Sequence, residues 1–277
     1  MQALLFDMDG VLYNGSVPIP GASQALAWVR QQKIPHLFVT NTTSRARPVL
    51  GEKLKSLDIF TVEDQIFSPP RATALWLKTQ ERGGVALFVP QATHPEFEGF
   101  PILPKYAKTG ARYVVVGDLG KGWDFDTLNR AFRLLQANPE AELIALGLTR
   151  FWQAEDGLRL DTAPFVAALE NATRRKALVF GKPAEAFFSA AVAKLGVAAG
   201  EVLMVGDDIE VDVAGAQKSG LKGALVRTGK FRPSDLSGAF QPDVVLGSVA
   251  DLPTWWANQN RRATLRAAIL PKPDSSA

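Results

Sequence analysis

The chain contains no cysteine. Disulfide scaffolds, zinc–thiolate sites and cysteine nucleophiles are therefore excluded, because each requires that side chain. Histidine is nearly as scarce. His36 and His94 are the only two, far apart and each beside a proline, and structural or solvent positions are expected for them rather than a catalytic or metal role. No apolar stretch approaches the ~18 residues that span a bilayer, so no membrane association is expected. Met1-Gln2 runs directly into Ala3-Leu4-Leu5-Phe6 without a basic start or a long apolar region, and a cytoplasmic location is the default expectation. Charge of one sign is also lacking. The whole net charge of +3 falls in residues 259–277, where Arg261, Arg262, Arg266 and Lys272 face only Asp274. Nucleic-acid binders concentrate basic charge on a folded face. The neutral body of this chain argues against a nucleic-acid partner.

What is present is ordinary globular material: 277 residues, 47% apolar and 21% charged, enough for one large domain or two moderate ones. Short apolar runs recur at Ala3–Phe6, Leu37–Val39, Val85–Val89, Tyr113–Val116, Leu143–Leu146 and Leu178–Phe180, and again at Val202–Val205, Ala224–Val226 and Val244–Leu246. Runs this short and rich in Val and Leu read as strands buried on both faces. Amphipathic stretches lie between several of them, at Ala22–Val29, Arg71–Lys78, Asp126–Leu135 and Ala186–Leu195. The alternation predicts βα units and a mostly parallel sheet.

Four of these runs end in polar clusters. Ala3–Phe6 leads into Asp7-Met8-Asp9-Gly10, and Leu37–Val39 into Thr40-Asn41-Thr42-Thr43-Ser44. Leu178–Phe180 leads into Gly181-Lys182-Pro183, and Met204-Val205 into Gly206-Asp207-Asp208. Ligands of parallel α/β sheets bind beyond the carboxyl ends of the strands. If the four strands share one sheet, the clusters meet at one rim. Asp7, Asp9, Asp207, Asp208 and Asp212 could not all be ionised at close range without a cation. Oxygen donors without cysteine or nearby histidine suit Mg²⁺. Thr40 and Asn41, expected at the start of a helix, offer donors to an anion. With the fixed charge of Lys182, the set fits phosphoryl transfer. Taken singly, these clusters read as turns, helix caps and strand ends. Their order, all at strand ends, argues for a common site.

Asp7-Met8-Asp9-Gly10-Val11-Leu12, Thr40-Asn41, Lys182 in Gly-Lys-Pro and Gly206-Asp207-Asp208-Ile209-Glu210-Val211-Asp212 resemble the four motifs of the haloacid dehalogenase superfamily. The long insert between the second and third motifs is similar to the subclass with a large α/β cap of class two. Local runs at Asp207–Gln217 and Arg227–Asp235 look like the phospholysine phosphohistidine inorganic pyrophosphate phosphatase branch, which includes the HAD-like hydrolase domain-containing protein 2 type. The resemblance covers roughly residues 1–257. It implies a Rossmann-like parallel-sheet core with an inserted α/β cap, and a Mg²⁺-dependent phosphatase acting on a small phosphorylated substrate. Asp7 would be the nucleophile that forms an aspartyl-phosphate. Asp9 would be the general acid and base. Asp7, the backbone carbonyl of Asp9, and Asp207 would hold the metal, while Asp208 or Asp212 would orient its waters. Thr40 and Asn41 would bind phosphoryl oxygens, and Lys182 would offset charge between Asp7 and the phosphate. Capped relatives are often dimers, and a homodimer is the matching expectation.

The expected division is a catalytic core of 1–82 and 177–258, a cap of 83–176 entered at Gly83-Gly84, and a basic tail of 259–277. Within the insert, Phe151–Ala154, Asp156-Gly157 and Leu158–Asp161 read as a hairpin with a two-residue turn. Thr149–Asp161 could face the leaving group or merely complete the cap sheet. Gly120-Lys121-Gly122 is not a P-loop, because Val115 and Gly122 stand where that pattern needs Gly and Ser or Thr. Two rivals to the phosphatase reading share its residues: a phosphotransferase with the same first step, and a non-catalytic module that senses metal or phosphate.

Overall fold

A computed structural model of the chain describes residues 1–154 and 156–259. The tail expected at 259–277 lies outside the described residues beyond its first position. Six parallel strands form the larger sheet, in the order Val244–Leu246, Lys222–Val226, Val202–Gly206, Ala3–Asp7, His36–Val39 and Ile66–Phe67. The first strand in sequence is thus central. Its register sets Phe6 against Val205 on one side and Asp7 against Val39 on the other. Asp7, Thr40 and Asp207 therefore leave the sheet at the same rim. Strand assignment follows composition: Ala3–Phe6 and Val202–Val205 are fully buried, as runs covered on both faces must be.

A second parallel sheet of four strands has the order Leu178–Val179, Glu142–Ala145, Ala111–Val116 and Gly84–Phe88. The condition of one shared sheet is therefore met only in part. The strand leading to Lys182 does not share the larger sheet with the other three; it pairs with Glu142–Ala145. Only two residues pair there, and their pattern is compatible with either sheet, so the choice is made by long-range packing. The outcome for the site is the same, because Phe180 and Gly181 carry the chain across to the rim of the larger sheet.

Three apolar clusters hold the layers. One lies under the larger sheet, with Phe6, Phe38, Leu26 and Val205 among its members. A middle cluster is shared by both sheets, running from Leu5 and Met204 through Phe187 and Phe180 to Tyr113 and Ile144. Trp76 joins the two sides, with its ring 5.3 Å from Phe180 and 5.9 Å from Tyr113. The third packs helices Phe125–Gln136 and Thr162–Thr173 on the outer face of the second sheet. Each fully buried large apolar side chain contributes about 1.5–3 kcal/mol, so the shared middle layer couples the two sheets firmly. No helix among the described residues is long and apolar enough to cross a membrane.

The hairpin forms as Phe151–Ala154 and Gly157–Leu160. Its turn differs from expectation. Gly157 pairs with Ala154, so it enters the strand rather than the turn. Asp161 is not a strand residue but the N-cap of the helix Thr162–Thr173, its Oδ1 accepting the Thr162 N–H at 2.6 Å.

Candidate active site

Strand ends set the first carboxylates. Asp7 closes the central strand, and Asp207 follows the last residue of its neighbour. Asp208 then caps a turn of π-helix over Ile209–Ala214, its Oδ1 accepting the N–H groups of Glu210 (3.1 Å) and Val211 (3.0 Å). This turn brings Asp212 back over the strand end, where its Oδ2 accepts the Asp208 N–H at 3.3 Å. Short π-helical turns of this kind often occur at functional sites.

Lys182 sits between two of these acids. Its Nζ donates to Asp7 Oδ1 at 2.6 Å and to Asp212 Oδ1 at 2.7 Å, with the Lys182 and Asp212 side chains almost wholly buried. Burial alone would push the ammonium's pKa down, but the carboxylates of Asp212 and Asp7 outweigh it and hold it above the usual lysine range. Asn41 fixes the lysine's backbone: its Nδ2 donates to the Lys182 carbonyl (2.8 Å) and its Oδ1 accepts the Lys182 N–H (2.7 Å). The Asn41 amide is thereby committed to positioning Lys182. Thr40 and Asn41 do not begin a helix either, since the next helix starts at Arg47. The intervening chain is held locally, with Thr40 Oγ1 accepting the Thr42 N–H at 3.1 Å and donating to Thr42 Oγ1 at 2.9 Å.

Asp7, Asp9, Thr40, Asn41, Lys182, Asp207 and Asp212 all line one cavity of about 520 Å³. Asp208 does not line it; its carboxylate is used by the π-turn and by Lys230 Nζ at 3.4 Å. Asp9 accepts the Gly15 N–H at 3.3 Å and is otherwise open to the cavity. Thr149 and Asp161 reach the same cavity from the inserted region, whereas Arg150 does not.

Carboxylate oxygens of Asp7, Asp207 and Asp212 lie within 4.8 Å of one another. Burial raises all three above their ordinary pKa values. For Asp7, Lys182 opposes the rise. For Asp212 the value is about 6, with Lys182 again opposing and Asp7 adding to it. Asp207 also reaches about 6, opposed chiefly by the Lys230 N–H that donates to its Oδ2 at 2.8 Å. Asp207 Oδ1 is buried and has no hydrogen-bond partner among the described residues. An orphaned carboxylate oxygen is costly to bury. A hard divalent cation among these oxygens would satisfy it, so the donor set fits Mg²⁺. Asp212 belongs to this trio by position, closer in than the supporting place expected for it.

Sequence reasoning missed Gly229 and Lys230 as site residues. Both follow the strand Lys222–Val226, and the run Thr228-Gly229-Lys230 was the available signal. Gly10 (φ +83°) and Gly229 (φ +62°) press on Asp207 from two loops; a Cβ on either would overlap its carboxylate. Glycine at both positions permits this approach and the left-handed backbone.

A sequence model of the haloacid dehalogenase-like hydrolases matches residues 4–100, and a HAD-hydrolase-like model matches 179–252. The chain is 39% identical over 235 residues to haloacid dehalogenase-like hydrolase domain-containing protein 2 of Bos taurus, covering 85% of this chain and 87% of that protein. It is 35% identical over 240 residues to phospholysine phosphohistidine inorganic pyrophosphate phosphatase of Bos taurus, covering 85% and 86%. The fold resembles p-nitrophenyl phosphatase from Archaeoglobus fulgidus with a TM-score of 0.80 and 29% identity, over 91% of this chain and 97% of that one. A parallel α/β hydrolase with an acid-and-lysine site at its strand ends is the class these features define. The chain belongs to the haloacid dehalogenase-like hydrolase family.

Proposed function

We propose that the chain is a Mg²⁺-dependent phosphatase that hydrolyses a small phosphorylated substrate through a phosphorylated Asp7. The observation that carries this reading is the buried Lys182 bridging Asp7 and Asp212 beside the orphaned oxygen of Asp207. Three acids and one lysine leave an uncompensated negative site, which needs a cation before it can admit an anion. Asp7, Asp207 and Asp212, with the Asp9 carbonyl, would hold Mg²⁺, which when bound neutralises phosphoryl charge.

Lys182 keeps Asp7 ionised and oriented. Asp7 attacks phosphorus, the bond to the leaving oxygen breaks, and Asp9 gives that oxygen its proton. Asp9 then takes a proton from a water as it attacks the same phosphorus, which frees Asp7 and inorganic phosphate. Acid–base assistance of this kind contributes roughly 10²–10⁴ in rate. Thr40, Thr42 and the Asn41 backbone lie on the wall available to phosphoryl oxygens. We read the second sheet and the hairpin as a cap over this wall, with Thr149 and Asp161 facing the leaving group.

Purified protein, a generic aryl phosphate and Mg²⁺ test the reading, compared with EDTA and with Asp7→Asn. Turnover should vanish in both controls; robust turnover in either would sink the mechanism. The named relatives suggest a panel of aryl monoesters, pyrophosphate and phosphoramidates. Asp161→Ala should change the ranking within that panel, and Arg150→Ala should leave it unchanged. An identical ranking in both variants would refute the role given to Asp161.

A further inference from the structure

A second cavity, of about 450 Å³, lies in the inserted region, away from the residues of the site above. Its walls come from the edge strand Gly84–Phe88, the segment 102–105 beside that edge, the loop 119–122 and the helix Phe125–Gln136. Leu87, Val89, Leu103 and Leu119 make it aliphatic, while Lys105 and Arg130 make it basic. Among the described residues no aspartate or glutamate lines it.

Arg130 is the unusual member. Its guanidinium lies 4.9 Å from the centre of the Phe88 ring, and that ring stacks in turn on Trp123 at 5.9 Å. Nε donates to the Ala107 carbonyl at 3.1 Å and Nη2 to the Pro104 carbonyl at 3.0 Å. Nη1 makes no hydrogen bond, and no carboxylate pairs with the group, among the described residues. A guanidinium carries five donors in a planar fork that suits an oxyanion. Here two neutral carbonyls hold the fork in place while one donor edge is left over. Burial lowers the guanidinium's pKa with no neighbouring acid to restore it.

Two of the segments around the cavity also grip the core. Gln91–Phe97 supplies Gln91 and His94 to the cavity, and Glu96 to an ion pair with Arg47 whose side chains are 7% and 12% exposed. The loop after Val116 supplies Leu119 and Gly122, while its Asp118 N–H donates to Thr43 Oγ1 at 3.4 Å. Thr43 adjoins Thr42 on the wall of the catalytic cavity. A ligand here would therefore bear on both cap segments that touch residues 43–47.

We propose that this cavity is a second ligand site for a small amphipathic anion, with an aliphatic body on the leucine and valine wall and an oxyanion head on Arg130, Lys105 standing at the rim. Charge complementarity fixes the head, because a cationic lining without acids repels amines. The wall fixes the body, since apolar pockets of this size with a few convergent polar groups are the usual form of small-molecule sites. The head could be a carboxylate or a phosphoryl-type group; both fit a guanidinium edge.

Hexanoate and hexylphosphonate serve as the probes, with acetate and 1-hexanol as head-only and body-only controls. Calorimetry measures binding to the full chain, and hydrogen–deuterium exchange locates it. At least one probe should bind more tightly than either control and slow exchange in peptides covering 87–105 and 117–130. Arg130→Met, which keeps the apolar stem, should weaken that binding about 10-fold or more. Lys105→Ala should weaken it by a smaller factor, and this exposed position is safe for folding. A preference for the carboxylate or the phosphonate identifies the head. The proposal is overturned if neither probe binds at 10-millimolar order, if hexanol binds equally well, or if both variants bind as the wild type does. Protection confined to peptides around Asp7 and Asp207 would also overturn it.

Discussion

Asp207→Asn removes a charge while keeping a shape. In the metal-free protein Asp207 is buried, its pKa is about 6 against an ordinary 3.8, and its Oδ1 is orphaned. Holding such a group ionised at pH 7.5 costs about 3 kcal/mol. Asparagine can still accept the Lys230 N–H, and its amide can donate toward the neighbouring carboxylates. In EDTA at pH 7.5 the variant should therefore be more stable than wild type by about 1–3 kcal/mol. At roughly 2–4 °C per kcal/mol for a chain of this size, its melting temperature should rise by several degrees. Between pH 4 and 6 the folded wild type holds more protons at this group than the unfolded chain. Its stability therefore falls as pH rises through that window, and the substitution removes that slope. Adding Mg²⁺ should reverse the ranking: wild type gains about 2.7 kcal/mol at a hundredfold excess over Kd, whereas the variant gains little. Differential scanning calorimetry with and without Mg²⁺ reads every term. A variant that melts at or below wild type in EDTA at pH 7.5 would refute the reasoning.

Other substitutions probe other links. Lys182→Met leaves Asp7 and Asp212 buried together without their cation; a loss of about 3–5 kcal/mol is expected from urea unfolding, and full retention of stability would contradict the pairing. Asn41→Ala deletes both bonds to the Lys182 backbone. It should lower turnover of an aryl phosphate by roughly 10–100-fold. Unchanged kcat would show that Lys182 needs no such tether. His36 is buried with its Nδ1–H on the Ile34 carbonyl and its Nε2 facing Gln65, and burial holds its pKa below the ordinary value. The unfolded chain thus gains a proton on acidification that the folded one resists, and stability declines as pH falls below about 6.5. Melting temperatures between pH 7.5 and 5.5 should fall more steeply for wild type than for His36→Gln. Parallel profiles would rule this out.

The nine strands expected from apolar runs all form, because a parallel strand buried on both faces writes itself as a local Val/Leu run. The strand Ile66–Phe67 was not legible: two residues are too short to show a period, and its pairing with Phe38 and Val39 is a long-range event. The same limit hid which sheet Leu178–Val179 would join. Three of the polar strand ends were legible as a set, because parallel topology alone sends Asp7, Thr40 and Asp207 to one rim, which Lys182 reaches from the second sheet. Finer roles were not. That Asn41 would spend its amide on Lys182, or that Lys230 would cover Asp207, depends on loops whose paths are settled by packing. The π-turn that lifts Asp212 inward is likewise invisible in a spacing that equally suits an ordinary helix start.

The central position of the first strand has a consequence for biosynthesis. Ala3–Asp7 pairs with Val202–Gly206, a partner that follows it by about 200 residues. At roughly 5–20 residues per second of translation, one edge of this strand, apolar up to Asp7, waits some 10–40 s for its neighbour. His36–Val39 can cover the other edge early. The nascent chain therefore exposes a sticky ribbon edge for most of its synthesis, and Asp7 cannot meet Asp207 and Asp212 until residue 212 has been made. A ribosome-bound intermediate arrested before residue 202 should depend on chaperones far more than the released protein does.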